Sequence, residues 1–76
     1  MLKDLLIFLA RSLVDNPDKV VVEEKDDGQV VIFKLHVADE DMGKVIGKQG
    51  RNAQAIRMLM KAAASKENKK VIVDVE

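Results

Sequence analysis

The sequence predicts an α+β two-layer domain, with helices on one face of a three-stranded mixed sheet and the order α-β-β-α-α-β. Three observations carry this reading. Apolar residues recur at helical spacing early in the chain, alternate across residues 30–37, and return to helical spacing after residue 50. The connection from the alternating segment to the last apolar run is long enough for a crossover, so the final strand can lie parallel to its neighbour. Finally, 76 residues accommodate one small domain, here residues 1–76, with a thin core.

Leu2, Leu5, Leu6, Leu9 and Leu13 form one helical stripe, which should stop near Asp15 because Pro17 disfavours helix at Asn16. Val20–Glu24 reads as a strand and Asp26-Asp27-Gly28-Gln29 as a tight turn. In the next strand, Val30–Val37, residues Val31, Phe33, Leu35 and Val37 fall on one side and Lys34 and His36 on the other. Asp39 or Asp41 suits a helix N-cap, opening a short helix that ends about Ile46 at Gly47. A longer helix is expected from about Arg51 to Ser65, rich in good helix formers. Lys66–Lys70 then forms a polar loop before a strand at Val71–Val75.

Composition narrows the function. Charged residues make up 34 % of the chain and hydrophobic residues 47 %, a globular balance. Absence of cysteine excludes disulfides and thiolate metal sites, and a single histidine, His36, supports neither a His-rich metal site nor a spare triad. No nucleophile–base pair or metal set can be assembled, so the chain is not expected to be an enzyme or to need a cofactor. The apolar run Leu5–Ala10 is too short for a membrane span and poor as a signal peptide, so a cytoplasmic protein without membrane contact is expected.

Net charge is zero, yet it is segregated. Residues 1–42 carry 5 basic and 10 acidic side chains, whereas residues 43–76 carry 8 basic and 3 acidic. Residues 43–66 hold six basic groups and no acid, which suits a polyanion partner. The informative stretch lies there: Gly43-Lys44-Val45-Ile46-Gly47-Lys48-Gln49-Gly50-Arg51. Two glycines three apart, between two helices, allow a sugar-phosphate backbone to approach the main-chain amides. The following helix points its positive end to the same place, and Lys44, Lys48 and Arg51 add cations.

The segment Val45-Ile46-Gly47-Lys48-Gln49-Gly50 resembles the hallmark loop of the KH domain, which clamps the backbone of about four single-stranded nucleotides. The element order resembles the type II arrangement, and the resemblance covers the entire chain. A KH domain of this length carrying G-K-V-I-G-K-Q-G-R looks like the small bacterial KhpA family of RNA-binding proteins. That resemblance implies a cytoplasmic RNA chaperone or post-transcriptional regulator linked to cell elongation and division, pairing with a Jag-type KH protein, KhpB. Carried over by position, it places Gly47, Lys48, Gln49 and Gly50 against phosphates and Lys44 and Arg51 beside them. Val45, Ile46, Ala53 and Ile56 line or support the groove, and Lys69 and Lys70 belong to the loop bordering it. Phe8 and Phe33 are the only aromatics, which disfavours recognition by base stacking.

Two other readings are weighed. Arg51, Asn52, Gln54 and Arg57 at a helix start are side chains that read a DNA major groove in a helix-turn-helix. Alternatively, the loop is structural and the domain binds only proteins. Apolar residues also cover more of the helix at 51–65 than one sheet requires. Ala55, Met58, Leu59 and Ala62, with Phe8 on the first helix, form a candidate interface for a homodimer or a KH partner.

Overall fold

The computed structural model describes residues Met1–Glu76. Helix α1 spans Leu2–Leu13, strands β1 and β2 span Val21–Asp26 and Val30–His36, helix α2 spans Met42–Ile46, helix α3 spans Arg51–Ser65, and strand β3 spans Lys70–Val75. The sheet order is β1-β2-β3, with β1 antiparallel to β2 and β3 parallel to β2. The expected fold class and crossover are therefore present, and α3 has the bounds read from the sequence.

Strand alternation decides which face is covered. Val22, Val31, Phe33, Leu35 and Val73 point inward and are buried, while Glu23, Lys25, Lys34 and Asp74 lie on the open face. Leu2, Leu6 and Ala10 of α1 and Ile56, Met60 and Ala64 of α3 close the core from the helical side, with Val45 of α2 beneath them. Leu5, Leu9 and Leu13 complete the leucine stripe at the core margin. Burying these apolar side chains drives the packing, each contributing about 1.5–3 kcal/mol for the larger ones.

Several boundaries differ from the sequence reading. Helix α1 stops at Leu13, and a single 3-10 turn at Pro17–Lys19 carries the chain to β1. Strand β1 begins one residue later than expected, at Val21, and continues to Asp26. There the turn is held by side chains: Asp26 accepts from the Gly28 amide at 2.8 Å and Asp27 from the Val30 amide at 2.9 Å.

Asp41 occupies the N-cap position of α2, one of the two expected, but without the bonding expected of a cap. Neither Asp39 nor Asp41 makes a side-chain capping bond. Asp41 is instead fully buried, and its carboxylate accepts from the Asp15 amide (3.2 Å), the Asn16 amide (3.0 Å) and Asn16 Nδ2 (3.0 Å). It ties the exit of α1 to the entry of α2. Burial pushes this carboxyl up, but the bonds from Asn16 and Asp15, helped by Lys44, outweigh it and hold it below the usual carboxylate range. His36 is half-buried, with Nε2 3.5 Å from a Glu23 carboxylate oxygen and 3.6 Å from one of Glu76.

Candidate nucleic-acid interface

The chain reverses between α2 and α3 in four residues, Gly47 to Gly50. Gly47 adopts φ 76° and ψ 173°, and Gly50 adopts φ 76° and ψ 13°. The first conformation is essentially closed to residues with a Cβ, and the second is left-handed. Gln49 is left-handed as well, at φ 59° and ψ 26°. A non-glycine residue held there costs about 1–2 kcal/mol, which the surrounding turn must offset. Three residues of positive φ within four positions fold the loop into a tight knuckle.

The knuckle has few internal bonds. The Gly47 amide donates to Gly43 O at 2.8 Å, closing α2, and the Gly50 amide donates to Gly47 O at 3.1 Å, opening the turn into α3. The amides of Lys48 and Gln49 donate to no other protein group. They therefore stand at a helix start, where unpaired N–H groups and the positive end of the α3 dipole favour an anion. The side chains of Lys48, Gln49 and Arg51 are exposed around them. This arrangement can hold one or two phosphate oxygens through main-chain donors, with Lys48 and Arg51 as adjacent cations.

The other sequence-predicted residues divide into groups. Val45, Ala53 and Ile56 are buried beneath the loop and hold α2 against α3, so they support the site from below. Ile46 remains exposed beside Gly47 and is the aliphatic surface available at the loop. Lys44 is turned back: its ammonium pairs with Asp15 and lies 3.8 Å from Asp41. The Asp15 contact raises its pKa above the usual lysine value. Lys69 pairs with Asp26 at 3.1 Å, and this bond, after that from the Gly28 amide, holds the Asp26 carboxyl low. Among the lysines and arginines only Lys44 and Lys69 form ion pairs, leaving Lys48, Arg51, Lys61 and Lys70 uncompensated.

From the loop, α3 runs along the free edge of β3. The Lys70 and Glu76 amides donate to β2 and its flank, at Gln29 O and Leu35 O. By the alternation of a parallel ladder, Val71, Val73 and Val75 then present their main-chain groups to the open edge. Arg57 bridges the seam, its Nε donating to Val73 O at 3.2 Å. A groove of about 340 Å³ lies here between Arg57, Lys61 and Val71–Asp74. It continues past Lys61, Val71 and Ile72 into a wider groove of about 830 Å³ bounded by Met58, Ala62, Ser65, Lys69 and Lys70. The loop and this basic trough share one helix, and Lys70 lies at its far end.

Sequence reasoning did not assign Asn52, Arg57 or Lys61 to this trough. Arg57 and Asn52 entered only as major-groove readers, and the structure employs both otherwise. Asn52 Nδ2 donates to Lys44 O at 2.8 Å, and Arg57 is held at the sheet edge. The four-residue spacing of Arg57 and Lys61, which puts both on one face of the helix, was the available signal.

The candidate interface residues of α3 are solvent-facing. Met58 is 71 % exposed and Leu59 51 %, with Ala55 and Ala62 beside them on the same helix. Phe8, 67 % exposed, lies on the outer side of α1 among Asp4, Arg11 and Ser12. Met58 thus does no core packing, unlike Met60, which is fully buried. No helix is long and apolar enough to cross a membrane.

Known proteins match this chain over almost its whole length. The family described as KhpA/KhpB, KH domain, matches residues 3–75. The RNA-binding protein KhpA of Clostridium acetobutylicum is 60 % identical over 74 residues, covering 97 % of this chain and 99 % of the relative. That of Caldanaerobacter subterraneus is 61 % identical over 72 residues, covering 95 % and 96 %. The KhpA protein of Chlamydia caviae is 40 % identical over 74 residues, covering 97 % and 95 %.

Proposed function

The chain belongs to the KhpA/KhpB KH-domain family, and from that premise we propose that it binds single-stranded RNA through the Gly47–Gly50 loop. The observation that carries the proposal is the pair of free amides at Lys48 and Gln49, set at the positive end of α3 beside two unpaired cations. The printed names of the relatives, RNA-binding protein KhpA, support RNA as the ligand over duplex DNA. The engagement of Asn52 and Arg57 within the protein argues the same way, since it removes two of four side chains from a major-groove reader. Bases extending from the clamped phosphates lie along the Arg57–Lys61 trough toward Lys70. Its lining is aliphatic and cationic, which fits modest base preference.

The activity is binding and not catalysis, without a cofactor, and its setting is the cytoplasm. In the cell the domain acts as an RNA chaperone or post-transcriptional regulator connected with elongation and division, as the family resemblance implies. Binding by one small loop is weak on its own, and avidity from a second domain compensates. The exposed strip of Ala55, Met58, Leu59 and Ala62, of which Met58 and Ala62 also form one rim of the trough, supports association with a second copy or with a Jag/KhpB-type KH protein. Phe8 sits apart on α1 and extends such a contact only if the partner reaches both helices.

The test replaces both loop-tip side chains. Lys48→Asp/Gln49→Asp puts two negative charges against the phosphate position while touching nothing buried. It should melt like the parent and lose binding to a short single-stranded RNA. A double variant that melts normally and binds as tightly as the parent removes the loop from the site.

A further inference from the structure

The amide of Lys48 lacks the partner that a continuing helix would give it. In an uninterrupted helix, Lys48 N–H would donate to the carbonyl four residues back, Lys44 O. Here the chain breaks at Gly47, and Lys44 O is satisfied by Asn52 Nδ2 at 2.8 Å. Asn52 sits at the second position of α3, so this bond also ties the exit of the loop to the helix that enters it. The fit is close on both sides. A Cβ built on Gly47 would lie 2.7 Å from Asn52 Cγ and 2.9 Å from its main-chain nitrogen, so Asn52 fills the space that the glycine leaves.

We infer that Asn52 is a positioning residue for the proposed RNA clamp: its side chain substitutes for the Lys48 amide at α2, and so turns that amide outward to the ligand. The inference rests on the RNA-binding reading for its consequence, but the latch itself is a property of the free protein. Asn52 is half-buried and need not touch RNA. Without its carboxamide, Lys44 O regains a vacancy that Lys48 N–H can fill by extending α2. The loop then samples conformations in which its amides no longer converge. Binding must then select the competent fraction, and the observed affinity drops by that fraction.

Asn52→Leu tests this, since leucine is similar in size, favours helix and has no donor. The first readout is amide hydrogen exchange and 15N relaxation at residues 47–50 in the protein without RNA. The expected result is increased motion at Lys48 and Gln49, with the amides of Val31 and Phe33 in the sheet unchanged. The second is affinity for a short oligouridylate, expected to fall about two- to tenfold, the equivalent of one hydrogen bond. Asn52→Ser keeps a shorter donor and should recover part of both. If leucine unfolds the domain, Asn52→Ala takes its place.

A role confined to folding would lower the melting temperature and leave loop motion and affinity unaltered, which overturns the inference. Unchanged loop motion alone also overturns it, whatever the affinity does. Should the loop loosen while the parent protein itself fails to bind oligouridylate, the latch stands and the RNA reading falls.

Discussion

Three glycines within eight residues, Gly43, Gly47 and Gly50, give a graded test of the loop, because each meets alanine differently. Gly43 lies exposed in α2 with open space around its missing Cβ and no positive φ, so Gly43→Ala should stabilise the domain by about 0.5–1 kcal/mol. Gly50 also has open space but is left-handed at φ 76°. Alanine there incurs about 1–2 kcal/mol of backbone strain. Reduced freedom of the unfolded chain returns about 0.4–1 kcal/mol, for a net loss near 0.5–1 kcal/mol. At Gly47 the conformation itself costs alanine about 1–3 kcal/mol. The new methyl would also stand within 3 Å of two Asn52 side-chain atoms and its backbone nitrogen, which cannot swing away. A total loss of about 3 kcal/mol or more follows. For a domain of this size each kcal/mol shifts the melting temperature by about 4–8 °C, so Gly47→Ala should melt at least about 12 °C below the parent. Urea and thermal melts of the three variants measure the order. A Gly47→Ala protein as stable as Gly50→Ala would refute the assigned loop geometry.

Other outcomes follow from the same structure. Stability should fall in acid: the Asp41 and Asp26 carboxyls are lowered by folding, so their contribution is complete above the unfolded value of about 3.9 and lost as pH drops through the folded ones. Asp41→Ala should lower the melting temperature at neutral pH and flatten that acid limb in a melting series against pH. Lys44 has the opposite sign, its contribution complete below 10.5 and lost as pH rises through its raised value, and Lys44→Met should flatten the alkaline limb. The parent should sediment as a dimer or capture a KH partner, and Leu59→Asp should sediment as a single chain of 8.5 kDa and capture none, without loss of helix by circular dichroism. A parent that is monomeric at high concentration and captures no KH partner ends that proposal. Affinity for a short RNA should fall with salt at a log–log slope of about −0.7 per phosphate, or about −1.4 to −2.8 for two to four phosphates.

Much of this was legible in the sequence where the determinants are local. Alternation at Val31, Phe33 and Leu35 fixed which side of β2 is buried, and the helix formers between Arg51 and Ser65 fixed α3. The glycine pair located the reversal between the helices. What escaped depends on partners distant in the chain. Asp41 reads as an N-cap because acids gather before a helix, yet its partners are Asp15 and Asn16, some 25 residues away. Lys44 reads as a cation beside the loop, but Asp15 draws its ammonium to the other end of α2. Gln49 gives no sign of a left-handed backbone, since glutamine has no special tolerance for it. Asn52 looks like one more polar residue at a helix start, and only the conformation of Gly47 brings its carboxamide onto Lys44 O.

The most direct test is an NMR titration of 15N-labelled protein with a short single-stranded RNA, read amide by amide. The account predicts the largest shifts at Lys48, Gln49 and Gly50, extending to Arg51, Arg57 and Val73 along the trough. The open sheet face at Glu23, Lys34 and Asp74 should stay unchanged. Shifts concentrated on that open face, or on Phe8 and the outer side of α1 with the loop silent, would contradict it.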